Sequence, residues 1–108
     1  MLLKLALLGS ALAVLGEAEN DYTIIVGAGK RDCYYEAFKK DVEFEIEYQV
    51  VDGGDLDISF QAFDPKGKQL FTDHRQEDGL HSVSAEKNPG GDFQICFDNR
   101  HSRFQAKV

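Results

Sequence analysis

The sequence has little of what a catalyst, a nucleic-acid binder or a membrane span requires. It contains no Gly-x-Ser-x-Gly elbow and no His-Glu-x-x-His pair, so nucleophilic and metal-assisted hydrolysis have no visible carrier. Positive charge is scarce: 12 Lys and Arg against 19 Asp and Glu leave a formal net charge of -7. A phosphate-backbone partner needs clustered cations, and here they are scattered, which argues against nucleic acid. Asn20, Asn88 and Asn99 lack a hydroxyl residue two positions on, so there is no N-glycosylation acceptor. The longest apolar run, Leu5 to Leu15, falls short of the roughly 20 residues of a spanning helix. The only two cysteines, Cys33 and Cys96, form no Cys-x-x-Cys, and zinc would need two further ligands at suitable spacing. Nothing calls for a metal or a cofactor.

What is present begins with a leader. Lys4 precedes the Leu5 to Leu15 run, and Gly16-Glu17-Ala18 supplies small residues where a signal peptidase reads, which predicts a secretory signal over 1–18 cleaved after Ala18. Its removal takes one Lys and one Glu, so the net charge is unchanged. In the oxidising compartment that follows, two cysteines read as one disulfide. Closing the loop from Cys33 to Cys96 would constrain the unfolded chain by roughly 4 kcal/mol, which matters for a small domain with a modest core.

The remainder, 19–108, is one domain with 29% charged and 43% hydrophobic residues over the whole chain, as in ordinary folded proteins. Its clearest stretch is Val42 to Val50, where Val42, Phe44, Ile46, Tyr48 and Val50 alternate with Glu43, Glu45, Glu47 and Gln49. A period of two predicts a strand with one buried and one wet face. Leu56 to Ala62 alternates in the same way after Gly53-Gly54, and the two runs are expected to pair as a hairpin. Further strands are predicted over Tyr22–Val26, Arg31–Ala37, Gln69–Thr72, Leu80–Ala85 and Asp92–Asp98, with Phe104, Ala106 and Val108 beginning a last one. Turns fall at Gly27-Ala28-Gly29-Lys30, Asp64-Pro65-Lys66-Gly67, Glu77-Asp78-Gly79 and Asn88-Pro89-Gly90-Gly91. No helix is expected. Roughly eight short strands at such spacing predict an all-β sandwich or barrel. One position is awkward, because Cys96 shares a strand face with Gln94 and not with Phe93, Ile95 and Phe97. Either both faces of that strand are covered or the bridge lies at the rim of the sheet.

Three groupings resemble sites. Gly27-Ala28-Gly29-Lys30 lacks the glycine spacing and the hydroxyl of a phosphate loop. Asp52, Asp55 and Asp57 do not follow the calcium-loop pattern. Glu43, Glu45 and Glu47 read as a solvated outer face. That leaves His74, His81 and His101, side chains that change charge near neutral pH and could release a partner as a secretory lumen acidifies.

Taken together, several stretches resemble a known domain: Cys33-Tyr34-Tyr35-Glu36; Tyr48-Gln49-Val50 leading to Gly53-Gly54-x-Leu56-Asp57-Ile58; Asp64-Pro65-x-Gly67; Asp78-Gly79-x-His81; and Gly91-x-Phe93-x-x-Cys96-Phe97-Asp98-Asn99-x-x-Ser102. In order and spacing they are similar to the GOLD (Golgi dynamics) domain of the TMED family of small transmembrane cargo receptors, nearest its gamma-type members. Tyr34 stands where that family usually has Phe. The resemblance implies an antiparallel, jelly-roll-like sandwich with a Cys33–Cys96 disulfide, no enzymatic activity, and a place on the lumenal side of the endoplasmic reticulum and Golgi. Its implied partners are cargo proteins and sister family members, in homo- or hetero-oligomers. Family members continue into a coiled coil, a single type I membrane span and a coat-binding tail, so membrane and vesicle-coat contacts are expected only from segments after Val108. A final strand cut short there would expose an edge, which predicts weak stability and association. The competing reading is a secreted, soluble β-sandwich that binds a carbohydrate or another small ligand.

Overall fold

The computed structural model describes residues 2–9, 18–53 and 56–100; for 2–9 and 18–21 it describes the course of the backbone. Eight strands follow in order: β1 (Leu2–Gly9), β2 (Ala18–Ile25), β3 (Arg31–Phe38), β4 (Phe44–Asp52), β5 (Ile58–Phe63), β6 (Gln69–Gln76), β7 (Asp78–Val83) and β8 (Gly91–Asp98). A single 3-10 turn, Ala85–Lys87, precedes β8. The strands form two four-stranded sheets, ordered β2-β1-β4-β7 and β3-β8-β5-β6, and every pairing is antiparallel. This is the all-β sandwich that the alternation predicts.

The alternating run of β4 behaves as its period requires: Phe44, Ile46, Tyr48 and Val50 are buried while Glu47 and Gln49 are exposed. Across the sandwich stand Ile58, Phe60 and Ala62 of β5 and Phe93, Ile95 and Phe97 of β8, all buried. The aromatic rings fill the interior as two groups. Phe38 stacks on Phe44 at 3.7 Å, with Phe93 edge-on to Phe44 at 5.0 Å, and Tyr48 stacks on Phe60 at 4.7 Å beside Phe97. Offset and edge-on contacts of this kind add about 0.5–1.5 kcal/mol each to the burial itself.

The expected hairpin of Val42–Val50 with Leu56–Ala62 does not form. β4 pairs with β1 and β7, while β5 pairs with β6 and β8, so the two runs lie in different sheets and face each other through the core. Period two fixes which side chains are buried, and a facing strand buries them as well as a neighbouring one does. The connection supports the crossing: Gly53 and Leu56 both have positive φ, at 108° and 57°, and the Leu56 amide donates to the Gly53 carbonyl at 3.1 Å. Gly54 and Asp55 lie outside the described residues, as do the expected strand at Phe104, Ala106 and Val108 and the histidine at 101.

Two buried asparagines tie the loops at the ends of the sheets. Asn88 donates through Nδ2 to the carbonyls of Lys39 at 2.6 Å and Val42 at 2.8 Å, and its Oδ1 accepts from the Gly90 amide at 2.9 Å. Asn99 donates to the carbonyls of Val26 at 3.1 Å and Gly27 at 3.3 Å, joining the end of β8 to the end of β2. Backbone carbonyls that a loop would leave unpaired are satisfied in this way.

Candidate functional site

A sandwich has two open sides, where the edge strands of its sheets come together. Here they are the β6/β7 margin and the β2/β3 margin, and the titratable groups of interest lie on them.

At the β6/β7 margin, Phe71 and Asp73 sit opposite Ala62 and Phe60 and therefore share the inner face of their sheet. Gly79, His81 and Val83 of β7 likewise sit opposite Tyr48, Ile46 and Phe44. The Asp73 carboxylate meets the other sheet there. Its Oδ2 accepts from the Tyr48 hydroxyl at 2.6 Å and lies 2.7 Å from His81 Nε2, which carries the proton when it faces a carboxylate. The imidazole is stacked between Phe71 at 4.5 Å and Phe60 at 5.3 Å. One carboxylate oxygen thus joins β4 and β7 of one sheet to β6 of the other. Gly79 makes room for this: a Cβ there would run into the Tyr48 ring and stand 2.8 Å from Asp73 Oδ2. Burial first, then the hydrogen bond to Asp73 and the charges of Asp73 and Asp78, hold the Tyr48 hydroxyl far above its ordinary range. Tyr48 is therefore a permanent donor, and the group acts as a clasp.

Of the two edge strands at this margin, β6 is unsuited to pairing with another chain. β6 is interrupted by two register shifts against β5, carries Arg75 at φ 51° and holds Asp73 inward. Arg75 is paired with Asp57 at 2.9 Å. Bulges and inward charge are standard protections of a sheet edge.

The β2/β3 margin differs. Tyr22 shares the inner side of β2 with Ile24, in line with Val26 just beyond it, and faces Glu36 of β3 across the gap. Partial burial raises the Glu36 carboxyl above its ordinary range, and the hydrogen bond from Tyr22 opposes the shift. Tyr34 is half-exposed beside it, its hydroxyl raised by burial and then by Asp32, and Tyr35 projects from the other face of β3. β3 pairs with β8 along all eight of its residues without a shift.

The Cys33–Cys96 disulfide spans directly opposite residues of β3 and β8. It lies on the outer side of its sheet, since Phe93, Ile95 and Phe97 take the inner side. Cys96 is nevertheless fully buried, flanked by Cys33 on one side and Gln61 on the other. Its strand neighbours bury Cys96, and the bridge lies beside the rim, since β3 is the last described strand of the sheet.

The structure separates the other candidate residues. His74 and His81 both lie on strands, His81 half-buried in the clasp and His74 exposed at a shallow pocket of about 210 Å³ that includes Ser59, Gln61, Thr72 and Arg100. At that pocket Arg100 grips Asp98 at 2.6–3.0 Å and holds its carboxyl below the ordinary range. Asp57 is engaged with Arg75, and among the described residues no three His, Cys, Asp or Glu side chains converge as metal ligands. Glu45 accepts from Ser82 Oγ at 3.3 Å and Glu47 faces solvent, so the glutamate row does not form a carboxylate pair. The sequence reading missed Asp73, Tyr48 and Gly79 as a group. Only the inward period of β6 could have pointed to Asp73, and it shows nothing of the facing sheet.

A sequence model of the emp24/gp25L/p24 family/GOLD matches residues 21–108. The chain is 39% identical over 106 residues to transmembrane emp24 domain-containing protein 5 of Mus musculus, covering 98% of this chain and 45% of that protein. The human protein of that name is 39% identical over 102 residues, 94% of this chain and 43% of its own. Transmembrane emp24 domain-containing protein 1 of Xenopus tropicalis is 37% identical over 101 residues, 94% of this chain and 44% of its own. The chain thus spans less than half the length of these relatives. A two-sheet sandwich with one disulfide, matched over most of its residues by that model, places the chain in the emp24/gp25L/p24 family as a GOLD domain.

Proposed function

We propose that this chain is the lumenal, non-enzymatic binding domain of a trafficking receptor that works between the endoplasmic reticulum and the Golgi, selecting cargo and associating with sister proteins. The family match over 21–108 carries the reading. Relatives named as transmembrane proteins support it. Anchoring and coat binding belong in this reading to segments beyond Val108. The leader over 1–18 is removed on entry, so the mature protein begins at Glu19. Because Leu2–Gly9 runs between β2 and β4, its loss leaves those two strands apart by the width of one strand.

The pH response expected of His74, His81 and His101 concentrates on His81, which faces Asp73 of β6 and lies next to Tyr48 of β4, itself under the field of Asp78. His81→Gln should remove any difference in partner retention between neutral and mildly acidic pH, and His74→Gln should leave it intact.

Protease protection tests the function. In intact microsomes from cells making the full-length parent, an epitope inserted after Glu19 should resist digestion until detergent is added. The protein should also fractionate with endoplasmic reticulum and Golgi membranes and co-purify with sister proteins. Digestion without detergent, or release of the whole protein into the medium, would overturn the reading.

A further inference from the structure

The three exposed tyrosines all lie on the β2/β3 margin: Tyr22 is 42% exposed, Tyr34 37% and Tyr35 67%, and Ile25 at the end of β2 is 70% exposed. Tyrosine supplies large, stiff, amphipathic contact area and is enriched where proteins bind one another. Among the described residues β3 beside them is the last strand of its sheet, eight residues long without bulge or positive φ, and its outer side presents backbone donors and acceptors. Such an edge is a template for an added strand. On the opposite side the corresponding edge of the same sheet, β6, is bulged and held by the clasp.

Charge indicates the occupant. In a chain of net charge -7, the β3 strand and its flanks carry Lys30, Arg31, Lys39 and Lys40 against Asp32, Glu36 and Asp41, a local positive surplus. A second β3 strand laid against the first would bring these cations together, whereas an acidic strand would be attracted. We infer that the β3 edge at this margin binds an extended, acidic peptide segment of a partner protein, which adds as a strand to β3 and packs its side chains against Tyr34 and Tyr35. The inference rests on the binding-module reading and names the surface that reading uses.

The test is an NMR titration of the mature, oxidised protein with a synthetic ten-residue peptide of alternating valine and glutamate, and with the same peptide carrying lysine for glutamate. The glutamate peptide should shift the amides of β3, weaken as salt is raised, and bind at least about tenfold more weakly to Tyr34→Phe/Tyr35→Ala, two changes that leave the fold intact. Equal binding of both peptides, shifts confined to β6 or the His74 pocket, or no shifts at millimolar peptide would overturn the inference. Concentration-dependent β3 shifts without peptide would overturn it in favour of a second copy. If the double variant still co-purifies with its partners from microsomes, the surface is wrong while the trafficking role stands.

Discussion

The two open sides of this sandwich are closed by different means. At the β6/β7 margin a half-buried carboxylate, a phenol and an imidazole join the sheets without a covalent bond. At the β2/β3 margin Tyr22 faces Glu36 between the sheets, and β3 is bonded to its own sheet through Cys33–Cys96. An edge strand that the facing sheet holds firmly gains little from a covalent tie, and one that must remain accessible gains much. The comparison indicates that the disulfide lets β3 stay open without detaching.

Removing the disulfide should therefore have the largest effect. Cys33→Ser/Cys96→Ser is expected to lose roughly 4 kcal/mol in urea denaturation, by the loop-entropy argument, and hydrogen exchange should rise first in β3 and only later in β6. Equal loss of protection at both margins would break the comparison. Next comes the clasp. Gly79→Ala forces the Tyr48 ring off Asp73 and should cost about 1–3 kcal/mol, as overpacking does. Tyr48→Phe leaves Asp73 with His81 alone and should cost about 1.5–3 kcal/mol, the range for a hydrogen bond to a charged group.

At the open margin stability should hardly move. Tyr35→Ala is expected to shift stability by less than about 0.5 kcal/mol, measured by the same denaturation, because its ring is mostly exposed. The smallest effect concerns pH. The folded-state pKa of Glu36 is raised by burial, so the folded protein favours its protonated form. Its contribution is most favourable below the ordinary glutamate range and declines as pH rises through the raised value. Glu36→Gln should accordingly increase Tm slightly at neutral pH and flatten the rise in stability that the native protein shows on mild acidification. An unchanged pH profile would show that Tyr22 already offsets the burial of Glu36.

The alternation from Val42 to Val50 revealed the buried face of β4 residue by residue, and the leader and cysteine count pointed to the disulfide. The neighbours of that strand were not legible, because a period of two specifies a face and is silent on whether the next strand lies beside it or across the core. That is why the Gly53-Gly54 turn suggested a hairpin where the chain in fact changes sheets. The clasp was hidden for the same reason: Tyr48, Asp73 and His81 are distant in sequence and meet only because β6 and β7 belong to facing sheets. Asn88 and Asn99 read as turn residues, and their real work, bonding the carbonyls of other loops, depends on contacts that local sequence does not encode.

Site-specific photo-crosslinking tests most directly whether one margin binds while the other only holds the sheets together. A photoreactive residue placed at Tyr35 or at Leu80, both well exposed, in the full-length parent would be activated in intact microsomes. The account predicts partner adducts from position 35 and none above background from position 80; adducts from position 80 alone would contradict it.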